Sequence, residues 1–306
     1  MNARCAIIDL SALSVEMRTL SGIGWEIHLK WLKDLWRQNH GMVALSTGAL
    51  SGTGAPGSGG FCWCCWSRNR FHVVPAEGRF GAACRYGGID HLLLKGAAEH
   101  PSELIIRNGE FTFSAASAKQ YGAAQQYRGI WRRIDGDACV MTVGAREILE
   151  DGVFRVGDSS LARKLKKVNL RSISVMAAGG IPIHSPELFL AVCQEIYRAR
   201  RGMRRDGAQN TFSRYLSLRN ATDDGRAFPP LAMDGAGVRP ALESMLGLCW
   251  GNDFPLDNPL SYAARLMNAY TGKPFSARSL EKSAIEAVDA ARSARCGKEE
   301  GGAYGQ

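Results

Sequence analysis

Ser46-Thr-Gly-Ala-Leu-Ser-Gly-Thr-Gly-Ala-Pro-Gly-Ser-Gly-Gly60 is the stretch that decides the fold, and it contains six glycines and one proline. It follows a short apolar run, Met42 to Leu45, which predicts a strand. Glycines at this density allow positive φ and let a backbone approach a large ligand or another segment closely. The sequence therefore predicts a tight turn at the end of a buried strand. We call residues 46–60 the glycine turn.

Four further segments complete a family pattern. They are Phe80–Asp90 with Leu92–Glu99 and Pro101, Asn169–Val175, Leu246–Cys249 and Pro259–Lys273. The glycine turn is similar to the T-G-P-L-T-G-T-x-A-P-G-S-G-R turn of the aldehyde ferredoxin oxidoreductase family of tungsten and molybdenum enzymes. The other segments resemble, in order, that family's F-G-x-x-L-K-x-A-G-Y-D block, its N-L-K-A-I-A-V strand, its D-x-x-G-L-C motif and the helix that ends in N-A-x-T-G. Five matches in the right order indicate common ancestry.

The fold class expected is α+β. Strand-like runs fill the first half of the chain and helical spacing fills the second, with no regular βαβ alternation. The resemblance implies that residues 1–180 form a mixed β domain like the family's N-terminal base domain. A reduced helical domain is expected over 181–296, with a flexible tail at 297–306.

Individual elements follow from periodicity and turn residues. Asn108-Gly109 predicts a β-hairpin, and Ser185-Pro186 predicts a helix start. The strands predicted are Ala6–Leu10, Met42–Leu45, His72–Val74, Leu92–Leu94, Leu104–Ile106, Phe111–Phe113, Ala138–Val143 and Ser172–Met176. The helices predicted are Ile23–Trp36, Ser185–Arg201, Pro259–Tyr270 and Ser276–Ala294, and Asn220–Gly237 is predicted to be a loop.

In the family, the β domain holds two metal-binding pterins, and helical domains supply a four-cysteine iron–sulfur cluster. Carried over position by position, the resemblance implies no catalytic residue in this chain. It implies a remnant of the cluster at Cys249. The cofactor-binding remnants that it implies are Gly57, Ser58, Gly59, Arg79, Arg155, Gly157, Gly247 and Leu248.

The chain also departs from the family pattern. Gly60 replaces the arginine of G-S-G-R, Pro75 an asparagine, Glu77 a glycine and Ser244 the aspartate of D-x-x-G-L-C. No C-x-x-C-x-x-x-C run for a cluster occurs in the sequence. We therefore expect no cofactor in the isolated chain, and a non-catalytic subunit that works beside a full-length family member or an iron–sulfur subunit. The alternative is a pterin-dependent aldehyde oxidoreductase whose tungsten or molybdenum bis-pterin and 4Fe-4S cluster are completed by another chain.

Phe61-Cys-Trp-Cys-Cys-Trp66 is the second unusual run. On a strand, Cys62 and Cys64 point to one side and Cys65 to the other. One interpretation is a metal or redox site that Cys84 or a partner chain completes; the other is an apolar strand with cysteines in place of valine and serine. Exposed Trp63 and Trp66 would instead suggest an interface.

Composition narrows the class of protein. Of 306 residues 45% are hydrophobic, so a packed core is expected. Nine cysteines, an odd number, and the lack of a signal-peptide pattern predict reduced thiols and a cytoplasmic location. No membrane span is predicted, because no apolar run reaches about 18 residues. The net charge of +9 comes with no nucleic-acid-binding motif, so nucleic acid is not expected as a partner.

Overall fold

A computed structural model describes residues 1–39, 41–67, 70–116, 122–134, 138–152, 154–157, 159–203, 231–232, 238–249 and 258–293. The predicted tail at 297–306 lies outside these residues. So does the predicted loop at 220–237, apart from Leu231 and Ala232.

Two mixed β-sheets form the first part of the fold. The seven-stranded sheet has the order β13-β5-β4-β3-β6-β1-β2, and the six-stranded sheet has the order β11-β10-β9-β12-β7-β8. The strands are β1 (Asn2–Asp9), β2 (Ser14–Ser21), β3 (Val43–Thr47), β4 (Gly60–Ser67), β5 (Arg70–Glu77), β6 (His91–Lys95), β7 (Ser102–Arg107), β8 (Glu110–Ala115), β9 (Cys139–Val143), β10 (Ile148–Glu150), β11 (Phe154–Gly157), β12 (Leu170–Met176) and β13 (Leu231–Ala232). Each sheet has one parallel pair, β1 with β6 and β7 with β12.

The described helices are short in the first half of the chain and longer in the second. They are α1 (Glu26–Trp31), α2 (Lys33–Gln38), α3 (Phe80–Tyr86), α4 (Ala123–Trp131), α5 (Ser159–Lys167), α6 (Pro186–Met203), α7 (Val238–Leu246), α8 (Pro259–Thr271) and α9 (Ala277–Ser293). Asn258 caps α8, because its side chain accepts the N–H of Ser261 at 3.0 Å. Ser276 and Ser279 exchange hydrogen bonds of 3.0 and 2.8 Å at the start of α9, as a capping box does.

The seven-stranded sheet has a hydrophobic core on each face. Alternate residues of β4 point in opposite directions, so Phe61 and Trp63 face the six-stranded sheet, whereas Cys62 and Cys64 face the helices. The core on the helix side includes residues of α1, α2 and α6–α9. The core between the sheets includes residues of α3 and α5. The strand β3 is buried along its whole length, and the glycine turn leads out of it.

The predicted α+β class is confirmed, and so are the predicted strands within one to three residues at most ends. Asn108 and Gly109 have φ of 49° and 85°, the positive values that a two-residue hairpin of type I′ requires. The single helix predicted over 23–36 is wrong. It is two helices, because the backbone leaves the helical region at Leu32, with φ −113° and ψ 11°. The sequence analysis missed β2 altogether.

None of the described helices is both long and apolar enough to pass through a membrane.

Candidate functional site at the glycine turn

The glycine turn is hydrogen-bonded to the turn that follows α7. These two segments are the first and fourth of the five family motifs, and they lie far apart in the sequence. Four backbone hydrogen bonds join them: Ala49 N–H to Met245 O (3.1 Å), Leu50 N–H to Leu246 O (2.8 Å), Gly60 N–H to Gly247 O (3.0 Å) and Cys249 N–H to Gly57 O (2.8 Å). The structure therefore brings together the predicted residues Gly57, Gly247 and Cys249, and Leu248 between the last two.

Glycines make this close approach possible. A Cβ on Gly48 would lie 1.8 Å from the backbone nitrogen of Gly247. A Cβ on Gly60 would lie 2.8 Å from the carbonyl of Gly247. Gly247 itself has φ +71°, a left-handed conformation that favours glycine. The space beside Gly48 and Gly60 is thus filled by the chain's own backbone.

Further N–H groups of the glycine turn also donate within the chain. Gly48 donates to the Ser51 hydroxyl at 2.9 Å. Ser51, Gly52, Thr53 and Ser58 donate to carbonyl oxygens of the same turn at 3.0–3.1 Å. A phosphate bound by a glycine-rich loop uses such N–H groups. Most of them are already engaged here, and Ser58 is buried.

The Arg85 side chain hydrogen-bonds to the backbone of the glycine turn. Its guanidinium donates to the carbonyl oxygens of Ala49 (2.8 Å) and Ser51 (2.7 Å), and it lies 3.2 Å from the Asp90 carboxylate. It also donates to the Tyr270 hydroxyl at 2.6 Å, which ties α3 to α8. Only 8% of Arg85 is exposed. Sequence reasoning missed this residue, although it stands at the cationic position of the F-G-x-x-L-K-x-A-G-Y-D block.

The Cys249 thiol and the Glu77 side chain lie beside Gly60 and Gly59, at the end of the glycine turn. The Cys249 Sγ lies 3.1 Å from where a Cβ on Gly60 would be. Burial, followed by the nearby charges of Glu77 and Glu243, raises the pKa of Cys249 well above its usual value. Burial also raises the pKa of Glu77. Because a metal ligand must be a thiolate, this environment disfavours metal binding by Cys249.

The Arg79 side chain forms an ion pair within the chain. Its guanidinium lies 2.6 Å from the Asp151 carboxylate. The backbone N–H groups of Arg79 and Phe80 donate to Glu150 at 2.6 and 3.1 Å, so a buried carboxyl group of the same chain occupies the start of α3. Burial raises the pKa of Glu150. Gly78 leaves room for this carboxyl group, since a Cβ there would lie 1.8 Å from Glu150 Oε2.

The remaining predicted cofactor residues lie elsewhere. Arg155 and Gly157 are in β11, an edge strand of the six-stranded sheet, where Arg155 pairs with Glu147 at 3.4 Å. Ser244, at the family's aspartate position, is buried and accepts the indole N–H of Trp25 at 2.9 Å. Its hydroxyl thus anchors α7 to the N-terminal segment.

The cysteine run is a buried strand. Cys62 and Cys64 share a face, with their sulfur atoms 4.0 Å apart, and both are fully buried. Cys84 lies in the core on the other side of the sheet, so it does not complete a site with them. Trp63 and Trp66 are only 0% and 9% exposed, so they do not form the interface that exposed tryptophans would have suggested. Helices and the second sheet cover the two faces of β4, which the isolated sequence run does not reveal.

Within the described ranges, one group of three acidic or sulfur ligands is close enough to hold a metal ion: Cys139, Glu150 and Asp151. Asp151 already accepts the Val140 N–H at 3.0 Å and pairs with Arg79. Glu150 accepts the two N–H groups at the start of α3 and the Cys139 thiol at 3.4 Å. The Asp151 carboxylate and Glu150 Oε1 are thus engaged within the chain, whereas the buried Glu150 Oε2 accepts no hydrogen bond from the described residues.

The chain is similar to known proteins in sequence and in fold. Residues 7–146 match the sequence profile described as "Aldehyde ferredoxin oxidoreductase, N-terminal domain". These residues form a domain of the aldehyde ferredoxin oxidoreductase family. The family predicted from the five motifs is confirmed, and the glycine turn and the Phe80–Asp90 block lie within the match. No curated protein matches the chain.

A solved structure supports the same fold. Its title is "Active site complex BamBC of Benzoyl Coenzyme A reductase in complex with 1,5 Dienoyl-CoA", and the TM-score is 0.61 at 18% sequence identity. The match covers 67% of this chain and 36% of that chain. The chain thus spans about a third of the length of that relative, and at this identity the likeness shows the fold.

The family's cofactors are a tungsten or molybdenum pterin and an iron–sulfur cluster. The described residues do not fit them. Most N–H donors of the glycine turn are engaged. The backbone of Gly247 fills the space that a side chain at Gly60, where the family has an arginine, would enter. A cluster needs four cysteine ligands. Among the described residues, the cysteines seen at this turn are Cys249 and Cys62, whose thiol donates to the Ser46 carbonyl at 3.6 Å.

Proposed function

We propose that the chain is a non-catalytic, aldehyde ferredoxin oxidoreductase-like subunit, a scaffold or partner in a tungsten or molybdenum oxidoreductase complex. The observation that carries the proposal is the closure of the glycine turn. In the family this turn bears cofactor; here its N–H groups donate to Met245, Leu246 and Gly247. The turn therefore stabilises the junction between the β domain and the helices.

The electrostatics of the turn support the same proposal. Pterin phosphates require cationic side chains or free N–H donors. Arg85 donates to backbone carbonyls and Arg79 pairs with Asp151, whereas Glu77 brings a carboxyl group to the turn. The charges nearest the turn thus disfavour a pyrophosphate.

The proposed partner is a full-length family member or an iron–sulfur subunit. The helix α6 exposes large apolar side chains, with Leu188, Leu190 and Tyr197 at 50%, 58% and 47% exposure. Such a surface favours contact with another protein. The similar structure is itself titled as a complex, which is in keeping with a subunit of this fold working beside another chain.

Affinity purification of the tagged chain from its native cells tests the proposal. We expect a second oxidoreductase or iron–sulfur chain to co-elute, and the tungsten or molybdenum to follow that chain when salt separates the two. Metal and pterin that stay with the tagged chain would contradict the proposal. Aldehyde-dependent dye reduction that needs both chains, with pterin bound by the tagged one, would instead support the alternative of an enzyme completed by a partner.

A further inference from the structure

The strand β2 is an open edge of the seven-stranded sheet. It pairs over its whole length with β1, from Asn2 opposite Ser21 to Asp9 opposite Ser14, without a break in register. Among the described residues it is the last strand of its sheet. Its residues are exposed or half-buried on both faces. Its outer edge therefore presents a row of backbone N–H and C=O groups, apart from the Ser21 carbonyl, which accepts the Trp31 indole N–H at 2.5 Å.

Most devices that protect such edges are missing from β2. The strand contains no proline, and its eight residues carry no bulge. Apolar side chains are exposed in and beside the strand, with Met17 at 41% and Leu13, in the turn that precedes β2, at 50%. Two charged residues remain, Glu16 and Arg18, which flank Met17 and form an ion pair of 2.6 Å. Their side chains are 57% and 45% exposed.

The sequence of β2 is self-complementary about Met17. We propose that β2 pairs antiparallel with β2 of a second copy of the chain, on a two-fold axis at Met17. An interface of this symmetry places residue i opposite residue j, and j opposite i. With the axis at Met17, Glu16 of each copy lies opposite Arg18 of the other, and Val15 lies opposite Thr19.

Each face of the proposed pairing is favourable. Opposite charges directly across a strand pair are stabilising, whereas like charges are destabilising. The next registers that an antiparallel ladder allows place Glu16 opposite Glu16 or Arg18 opposite Arg18, so the charges select the register. The residues Val15 and Thr19 are β-branched and suit a sheet. The two seven-stranded sheets would then form one continuous sheet across the dimer.

The interface is small, and this sets the expected affinity. One strand pair buries less than the roughly 1,600 Å² of a standard interface. We therefore expect a dissociation constant of about 1–100 µM for the dimer. The competing explanation is that Glu16 and Arg18 keep the edge from pairing, since charges often do so. The two explanations predict opposite effects of Glu16→Arg on the dimer. Our proposal predicts weaker dimerisation, whereas a protective role of the charge pair predicts no loss of dimerisation.

Sedimentation of the full chain from about 1 to 200 µM tests the proposal, because that range brackets the expected affinity. We expect the wild type to dimerise with rising concentration. Glu16→Arg should weaken the dimer about tenfold or more, because it places arginines opposite each other. The double variant Glu16→Arg/Arg18→Glu should restore the wild-type affinity, because the pairs are complementary again. Glu110→Arg is the matched control, since Glu110 is an exposed residue of β8, at an edge of the other sheet.

Circular dichroism keeps the test independent of folding, since each variant must show the wild-type spectrum and melting temperature. A wild type that is monomeric at every concentration would overturn the proposal. So would a dimer that Glu16→Arg leaves unchanged, or one that the double variant fails to restore.

Discussion

The backbone N–H of Cys249 donates a 2.8 Å hydrogen bond to the carbonyl oxygen of Gly57. Gly57 belongs to the glycine turn and Cys249 ends the turn after α7, so this bond joins two motifs from opposite ends of the sequence. It is one of four backbone bonds that close the glycine turn over its own chain. A turn that would hold a cofactor in the family therefore works here as a structural junction.

The first prediction concerns Gly48. A Cβ there would overlap the backbone of Gly247, and backbone cannot turn aside as a side chain can. We expect Gly48→Ala to lower the free energy of unfolding by about 2–3 kcal/mol. Urea denaturation of the variant and the wild type measures this change in the free energy of unfolding.

Gly59→Ala is the matched control, because a Cβ there would lie 3.6 Å from its nearest neighbours. We expect it to change the free energy of unfolding by about 0.5 kcal/mol or less. Equal losses from the two substitutions would contradict the prediction, because they would show that the Gly247 backbone can move to accept a Cβ on Gly48.

The second prediction concerns Arg85. Lysine lacks the planar fork that reaches Ala49 and Ser51 while it also faces Asp90. We expect Arg85→Lys to lower the free energy of unfolding by about 2–4 kcal/mol, since buried acceptors lose their donor. Arg278→Lys, at an exposed position of α9, should be close to neutral.

Tyr270→Phe separates the contributions of Arg85. It removes one hydroxyl partner, and the guanidinium contacts to the glycine turn remain. We expect a loss of about 1 kcal/mol in the same denaturation experiment. A loss larger than that of Arg85→Lys would show that Arg85 stabilises the fold mainly through Tyr270 of α8 and not through its bonds to the glycine turn.

The third prediction is a pH dependence of stability from two buried histidines. The rings of His28 and His91 lie 5.1 Å apart, and both residues are buried. Burial, followed by the charge of His91, lowers the pKa of His28 well below its usual value. Burial, followed by the charge of Arg85, lowers the pKa of His91 to about 3.

The sign follows from proton binding. Below about pH 6.5 the unfolded chain protonates these histidines and the folded chain does not, so stability falls as the pH falls towards 3. We expect His28→Leu to flatten this dependence by about 1.4 kcal/mol per pH unit between pH 6 and 4. The exposed His100→Gln is the control, because the His100 side chain is 78% exposed. The prediction would be contradicted if the free energy of unfolding changed with pH at the same rate in both variants and the wild type.

Local patterns predicted much of the fold. Apolar runs bounded by turn residues located most of the strands of the two sheets, and Asn108-Gly109 located a hairpin. The strand β2 gave no such pattern, because both of its faces are exposed and no apolar alternation is needed. Trp63 and Trp66 are buried because long-range packing covers both faces of β4, and a six-residue run carries no sign of that.

The family motifs located both halves of the candidate site, but not their contact. Gly57 and Leu246–Cys249 were singled out separately, each as a cofactor remnant. The hydrogen bonds between them depend on the path of the chain over the intervening residues, which motif spacing does not give. Arg85 was missed for the same reason, since its partners Ala49, Ser51 and Tyr270 come from two distant segments.

The metal and pterin content of the isolated chain tests the central claim most directly. The chain would be produced with tungstate and molybdate supplied, purified without denaturation and measured by elemental analysis and pterin fluorescence. The closed glycine turn predicts tungsten, molybdenum, iron and pterin far below one equivalent per chain. One equivalent of tungsten or molybdenum with bound pterin would contradict the account.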